Sequence, residues 1–205
     1  MIDRRLFLAS AAGVALTAAL PANVLAAPEG FNTPPLPEMS LGSKDAPVTL
    51  TEYSSLTCGH CRNFHTQVLP TIKQEYIDTG KVRFQMREFA FDNLAAAGFM
   101  LARCAPNNAY FPMVETLFER QDQWARAQNP AQELFNIAKL AGFTRGSFET
   151  CLKDQAMLDK INASFKQGQE FGVTGTPTLF VNGEKVEGGY GLENVKKAID
   201  AQLAS

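Results

Sequence analysis

Apolar and polar positions switch period repeatedly along the chain. Val48-Thr49-Leu50-Thr51-Glu52-Tyr53 is rich in β-branched and aromatic residues and runs into the turn-prone Ser54-Ser55, which predicts a strand. From Cys61 onward the apolar positions are Phe64, Val68, Ile72 and Tyr76, spaced as one face of a helix whose entry falls at Cys58. Pro70 inside that pattern predicts a kink, because proline removes a backbone donor and clashes with the preceding turn; Gly80 supplies the stop. Val82-Arg83-Phe84-Gln85-Met86-Arg87 alternates as a second strand.

Residues 92–171 carry almost only helical signals. Leu94, Ala97, Leu101 and Cys104 form one stripe, Leu134, Ile137, Ala138 and Ala141 a second after Pro130, and Leu158, Ile161 and Phe165 a third. The breaks at Pro106-Asn107-Asn108 and Gly142 are turn and capping residues. Thr178-Leu179-Phe180-Val181 returns to strand, and Asn182-Gly183 predicts a tight primed turn because it accepts positive φ. The chain resumes as strand from Glu184 to Glu187, and Leu192, Val195, Ile199 and Leu203 line a closing helix. The expected architecture is α/β: a domain over residues 47–205 with a helical insertion at about 92–171 separating a strand-helix-strand half from a hairpin-helix half. Residues 27–46 hold Pro28, Pro34, Pro35 and Pro37, with Pro47 just beyond, and suit an extended leader rather than a helix.

Composition narrows the class. A chain of 205 residues, 45% hydrophobic and 20% charged, suits one globular domain with a sizeable core. A formal net charge of −2 without runs of like charge leaves no electrostatic footprint for nucleic acid or an anionic membrane. At the start, Arg4-Arg5, a mildly apolar stretch from Leu6 to Leu20, Pro21 and Val24-Leu25-Ala26 read as an export signal over residues 1–26, cleaved after Ala26. Asp3-Arg4-Arg5-Leu6-Phe7-Leu8 resembles the twin-arginine motif, with Asp3 and Ala9 departing from its usual hydroxyl and lysine, so the general secretory route stays open. The apolar stretch is shorter than the roughly 20 residues needed to span a bilayer. Export places the domain in the periplasm, an oxidising compartment where cysteines are read first as disulfides.

The candidate chemistry lies in Cys58-Gly59-His60-Cys61. Thiol-disulfide exchange is attack by a thiolate, so the attacking sulfur must be both deprotonated and exposed. At a helix start the unpaired backbone donors and the positive end of the macrodipole stabilise the Cys58 anion, and His60 can add positive charge or a hydrogen bond. Two intervening residues place Cys61 one turn along and less exposed, as the resolving thiol. A metal bound by Cys58, Cys61 and His65 would lack the usual fourth ligand, so neither metal nor organic cofactor is expected.

The motif, the Gly175-Thr176-Pro177-Thr178 segment, Glu52 six residues before the first cysteine and the order of elements resemble the thioredoxin fold. With the helical insertion, the chain resembles the DsbA-like thiol-disulfide oxidoreductases of alphaproteobacterial type, which carry a second cysteine pair. The resemblance covers most of residues 40–203. It implies a cis Thr176-Pro177 bond beside the sulfurs, offering an edge to an extended client, and a Glu52 that lies behind Cys61 and moves its proton; the alternative for Glu52 is a plain solvent-facing strand residue. It also implies a structural Cys104–Cys151 bridge, with two buried free thiols as the alternative.

The implied activity is introduction of disulfides into reduced or misoxidised exported polypeptides by a monomer, with reoxidation by a DsbB-like membrane partner. Isomerase or reductase action stays open because Gly59-His60 is the dipeptide of protein disulfide isomerase-like centres and Thr176 is frequent in isomerase-type relatives. The 27–46 leader, however, is too short for the dimerisation domain such isomerases carry. A peptide-binding holdase with incidental cysteines is the remaining reading.

Overall fold

The computed structural model describes residues 27–205, so the expected export signal lies outside the described residues. Five strands form one sheet in the order β1-β3-β2-β4-β5. Central β2 (Val48–Ser54) pairs in parallel with β3 (Val82–Glu88), in a register running from Val48↔Val82 to Ser54↔Glu88. A parallel pair needs a crossover, and the helical run over 59–77 supplies it. On the other side β2 pairs antiparallel with β4 (Thr178–Val181), which continues into the short β5 (Glu184–Lys185). The turn between them has positive φ at both Asn182 (49°) and Gly183 (86°), as a primed hairpin turn requires. With both edges of β2 paired and both faces covered, all its residues except Thr49 are buried.

Period two sorts these side chains. Val48, Leu50 and Glu52 share one face, where Val48 and Leu50 join the main core; Tyr53 on the other face joins Phe31, Phe89, Val173 and Phe180 in a second cluster.

The 59–77 run is not the single kinked α-helix that the spacing predicts. It consists of α1 (Gly59–Asn63), a π-helical turn (Phe64–Val68), α2 (Leu69–Ile72) and a second π turn (Lys73–Ile77). Just before Pro70, the Leu69 N–H reaches back five residues to the Phe64 carbonyl. A wider turn holds an extra residue, so adjacent pairs face the core together: Phe64 with His65, Val68 with Leu69, and Tyr76 with Ile77 are all buried.

The insertion comprises α3 (Asn93–Cys104), α4 (Tyr110–Glu119), α5 (Gln121–Trp124), α6 (Pro130–Leu140), α7 (Arg145–Leu152) and α8 (Gln155–Glu170). Side-chain caps start several of them: Asp92 accepts from the Ala95 N–H, Asn129 from Gln132 and Asp154 from Met157. Helix α3 packs against α4, α7 and α8 at once, which changes its buried face. Ala95, Ala96, Phe99, Met100, Leu101 and Ala102 are buried, whereas Leu94, Ala97 and Cys104 of the expected stripe are only half-buried. Gly98 lets α3 approach the loop before Cys58, because a Cβ there would lie 2.9 Å from Leu56 Cδ1. Helix α9 (Leu192–Leu203) closes the domain through buried Val195 and Ile199.

The expected leader is part of the fold. Met39–Leu41 forms β1, antiparallel to β3, and Phe31 is buried 5.2 Å from Phe171 and 5.1 Å from Phe180 between ring centroids. Proline density excludes a helix here, but Met39-Ser40-Leu41 is proline-free and can pair at a sheet edge. No helix among the described residues is long and apolar enough to cross a membrane.

Candidate active site

Strand β2 ends at Ser54, and a three-residue loop delivers Cys58 as the N-cap of α1, in extended conformation with φ −83° and ψ 120°. The backbone N–H groups of His60 and Cys61 belong to the first turn of α1, where an α-helix leaves them without intrahelical partners, next to the Cys58 cap. Both Cys58 and Cys61 are free thiols; Cys58 is half-exposed and Cys61 fully buried. The hydrogen bond from the Cys61 thiol is the leading reason that the Cys58 pKa is lowered to about 5; the setting at Thr176 and the two N–H groups also lower it, and burial opposes them. Cys58 Sγ also lies 3.2 Å from the Thr176 carbonyl oxygen, beside the cis Thr176-Pro177 bond. The Thr176 hydroxyl itself is buried without a hydrogen-bond partner. Burial pushes the Cys61 thiol well above its usual range, and the negative charges of Glu52 and Cys58 push the same way.

This split sets a pH dependence. A depressed Cys58 pKa stabilises the reduced folded protein fully above the ordinary thiol pKa, and that contribution is lost as pH falls through about 5. Alkylation of the reduced protein by iodoacetamide is therefore expected to be nearly flat from pH 8 down to 6 and to fall with a midpoint near 5. A midpoint between 8 and 9, as for a free thiol, would contradict the geometry.

Glu52 is not a solvent-facing strand residue. It is wholly buried, with Oε2 2.8 Å from His65 Nε2 and Oε1 without a partner. This bond commits His65 away from the two cysteines, and among the described residues no group of three or more His, Cys, Asp or Glu is placed to hold a metal ion.

The ring of His60 is engaged differently from the expectation. Its Nδ1 bonds the Tyr190 hydroxyl at 2.8 Å, and the backbone N–H of His60 rather than its ring helps to lower the Cys58 pKa. Tyr190 sits in the turn before α9, and nothing in its sequence surroundings marks it. Gln121 was equally invisible: this buried side chain of α5 donates to the carbonyl oxygens of Leu56 at 2.8 Å and of Cys58 at 3.0 Å. Thr57 is tied to the α3 cap by its hydroxyl, 2.8 Å from Asp92 Oδ2. Away from this centre, Cys104 at the end of α3 and Cys151 in α7 form a disulfide with S–S 2.11 Å and Cα–Cα 6.2 Å.

The sheet order and the helix-capping position of the first sulfur are those of a DsbA-like thioredoxin fold with a helical insertion between its halves. The chain belongs to the thioredoxin family, whose model matches residues 36–201. It is similar to alpha-DsbA1 of Wolbachia pipientis, with 32% identity, a TM-score of 0.75 and coverage of 84% of this chain and 94% of that one. It is also 33% identical over 170 residues to the inferred protein-disulfide oxidoreductase of Rickettsia bellii, covering 81% of this chain but only 64% of the Rickettsia protein. The disulfide bond formation protein D of Bacillus subtilis matches at 25% over 170 residues, covering 80% of this chain and 76% of that protein.

Proposed function

We propose that the protein is an exported dithiol oxidase that passes the Cys58–Cys61 disulfide to reduced polypeptides. The observation that carries this reading is the unequal pair of thiols: an accessible Cys58 with its pKa lowered to about 5 beside a buried Cys61 pushed well above the usual range. A client thiolate attacks Cys58, the S–S bond breaks, and Cys61 leaves with the electron pair and takes up a proton. A second client thiol then attacks its own sulfur in the mixed disulfide, and Cys58 leaves as a thiolate. The client loses two electrons and becomes a disulfide; the enzyme gains them and becomes a dithiol. A good leaving group makes the second step fast and favours the reduced enzyme, which is what a strong oxidant needs.

The roles are assigned accordingly: Cys58 is the attacked sulfur, Cys61 the resolving one, and Thr176 and Pro177 flank the client as it reaches Cys58. Glu52 serves the Cys61 proton, and the Cys104–Cys151 bridge is structural. The export signal over 1–26 supports a periplasmic location, where reoxidation falls to a DsbB-like membrane partner and the enzyme works as a monomer. Isomerisation is the second reading, favoured by the Gly59-His60 dipeptide.

Equilibrating the Cys58–Cys61 pair against a glutathione buffer tests the direction. A potential at or above about −180 mV is expected. A value near the −270 mV typical of thioredoxin would sink the oxidase reading, roughly, in favour of reduction.

A further inference from the structure

Cys61 poses a proton problem that Cys58 does not. If the protein is the oxidase proposed above, a proton must reach the Cys61 sulfur each time the disulfide is reduced and must leave again before it re-forms. Yet that residue is 0% exposed. The group behind it is no closer to water, because Glu52 is also 0% exposed.

Glu52 has one connection outward. Its Oε1 is unpartnered, and its Oε2 lies 2.8 Å from Nε2 of His65. The π turn carries His65 inward, where its ring sits 4.4 Å from that of Phe118, and the residue keeps 8% exposure. What it faces is an open cleft of about 340 Å3, whose walls include Leu41, Thr66, Lys73, Glu115 and Glu119. The groups thus run in series from the buried sulfur to a buried carboxylate, an imidazole and a water-accessible cleft lined with charged side chains.

We propose that His65 is the relay through which Glu52 exchanges protons with solvent, so that the Cys61 proton enters and leaves through this cleft rather than past Cys58. When the disulfide opens, the Glu52 carboxylate passes the proton on His65 Nε2 to the Cys61 thiolate, and the imidazole recovers one at its other nitrogen from water in the cleft. When the disulfide closes, the same transfers run in reverse and the proton is released to the cleft. Imidazole suits this place because one ring nitrogen can give a proton while the other takes one up, whereas a carboxylate with no exposed atom has no direct exchange with water. His65 touches neither sulfur and acts only through Glu52. The other charged groups that line the cleft with it are Lys73 from its own helical run and Glu115 and Glu119 from α4; its neighbours Phe84 and Phe118 carry no charge.

The test is single-turnover closure of the reduced full-length protein by oxidised glutathione, in which Cys58 takes the glutathione and Cys61 then displaces it. His65→Gln keeps an N–H for Glu52 but cannot relay a proton. Closure in H65Q is expected to slow on the order of 100-fold, the lower end of what a positioned proton-transfer group contributes. Alkylation of Cys58 by iodoacetamide is expected to stay unchanged. In His65→Ala, which opens the site to the cleft, added imidazole is expected to restore much of the closure rate and to leave the wild type unaffected.

Closure in H65Q at the wild-type rate would overturn the relay. So would slowing in both variants that imidazole does not relieve and that extends to Cys58 alkylation, since that marks a structural role. Closure needs no client, so the test is separate from the oxidase reading. A wild-type protein that closes through His65 but fails to oxidise reduced polypeptides would sink that reading alone.

Discussion

Replacing Cys58 by serine is expected to abolish transfer of oxidising equivalents to a reduced polypeptide, with a loss of at least about a thousandfold, the scale on which removal of a covalent nucleophile is felt. The remaining thiol cannot substitute, because Cys61 is fully buried and burial holds it protonated. Cys61→Ser has a different outcome. Loaded as a Cys58–glutathione disulfide, this variant is attacked by a client thiolate, glutathione leaves, and a Cys58–client disulfide forms with no internal thiol to resolve it. Non-reducing gels of such mixtures should show adducts that dithiothreitol releases for Cys61→Ser and none for Cys58→Ser. Equal trapping by the two variants would reverse or dissolve the assigned roles. Alanine at position 61 removes the hydrogen bond that is the largest contributor to the low Cys58 pKa, so the alkylation midpoint of Cys61→Ala should move upward from about 5.

The second large effect concerns stability. Cys104 and Cys151 are 47 residues apart in sequence, and their bridge ties the end of α3 to α7 within the insertion. Closing a loop of that length restricts the unfolded chain, and the chain-entropy relation puts its contribution at about 4 kcal/mol. The double replacement by alanine is therefore expected to lower unfolding stability by about that amount, which for a domain of this size is a fall in Tm of roughly 8–16 °C. Denaturant unfolding of the oxidised wild type and the double variant measures it. A difference below about 1 kcal/mol would mean that the bridge constrains little that the helix packing does not already constrain. The pH profile of Cys58 alkylation should not change, since no residue of the bridge contributes to the environment of that sulfur.

Much of the domain was legible in residue order. The strand periods located β2, β3 and β4 closely, because these are central or near-central strands whose alternation and β-branched content reflect burial. Asn182-Gly183 announced its turn because few other pairs tolerate two positive φ values. The reactive cysteines were legible because two residues between them at a helix start is a spacing with chemical meaning. What stayed hidden depended on tertiary packing. The π turns are wider than the 3.6-residue template, so regular spacing could not show that adjacent residues such as Val68 with Leu69 and Tyr76 with Ile77 face the core together. Helix α3 is packed from several sides, and a single stripe could not describe it. Tyr190 and Gln121 reach the centre from 130 and 63 residues away in sequence, distances at which local pattern carries no signal. The place of β1 at the sheet edge was hidden for a related reason: three residues are too few to display a period.

Gln121 gives the insertion a part in the chemistry. One amide of α5 holds the carbonyl of Cys58 itself and that of Leu56 just before it, while Gly98 of α3 lets the same loop seat against the helices. Cys58 is thus gripped from both sides: the thioredoxin core positions it at the front of α1, and the added helices fix the peptide that leads into it. A fold of this kind can retune the environment of Cys58 without touching the Cys-x-x-Cys motif, by altering helices that reach it through two carbonyl oxygens, the Thr57–Asp92 hydrogen bond and the seat of Leu56 against Gly98.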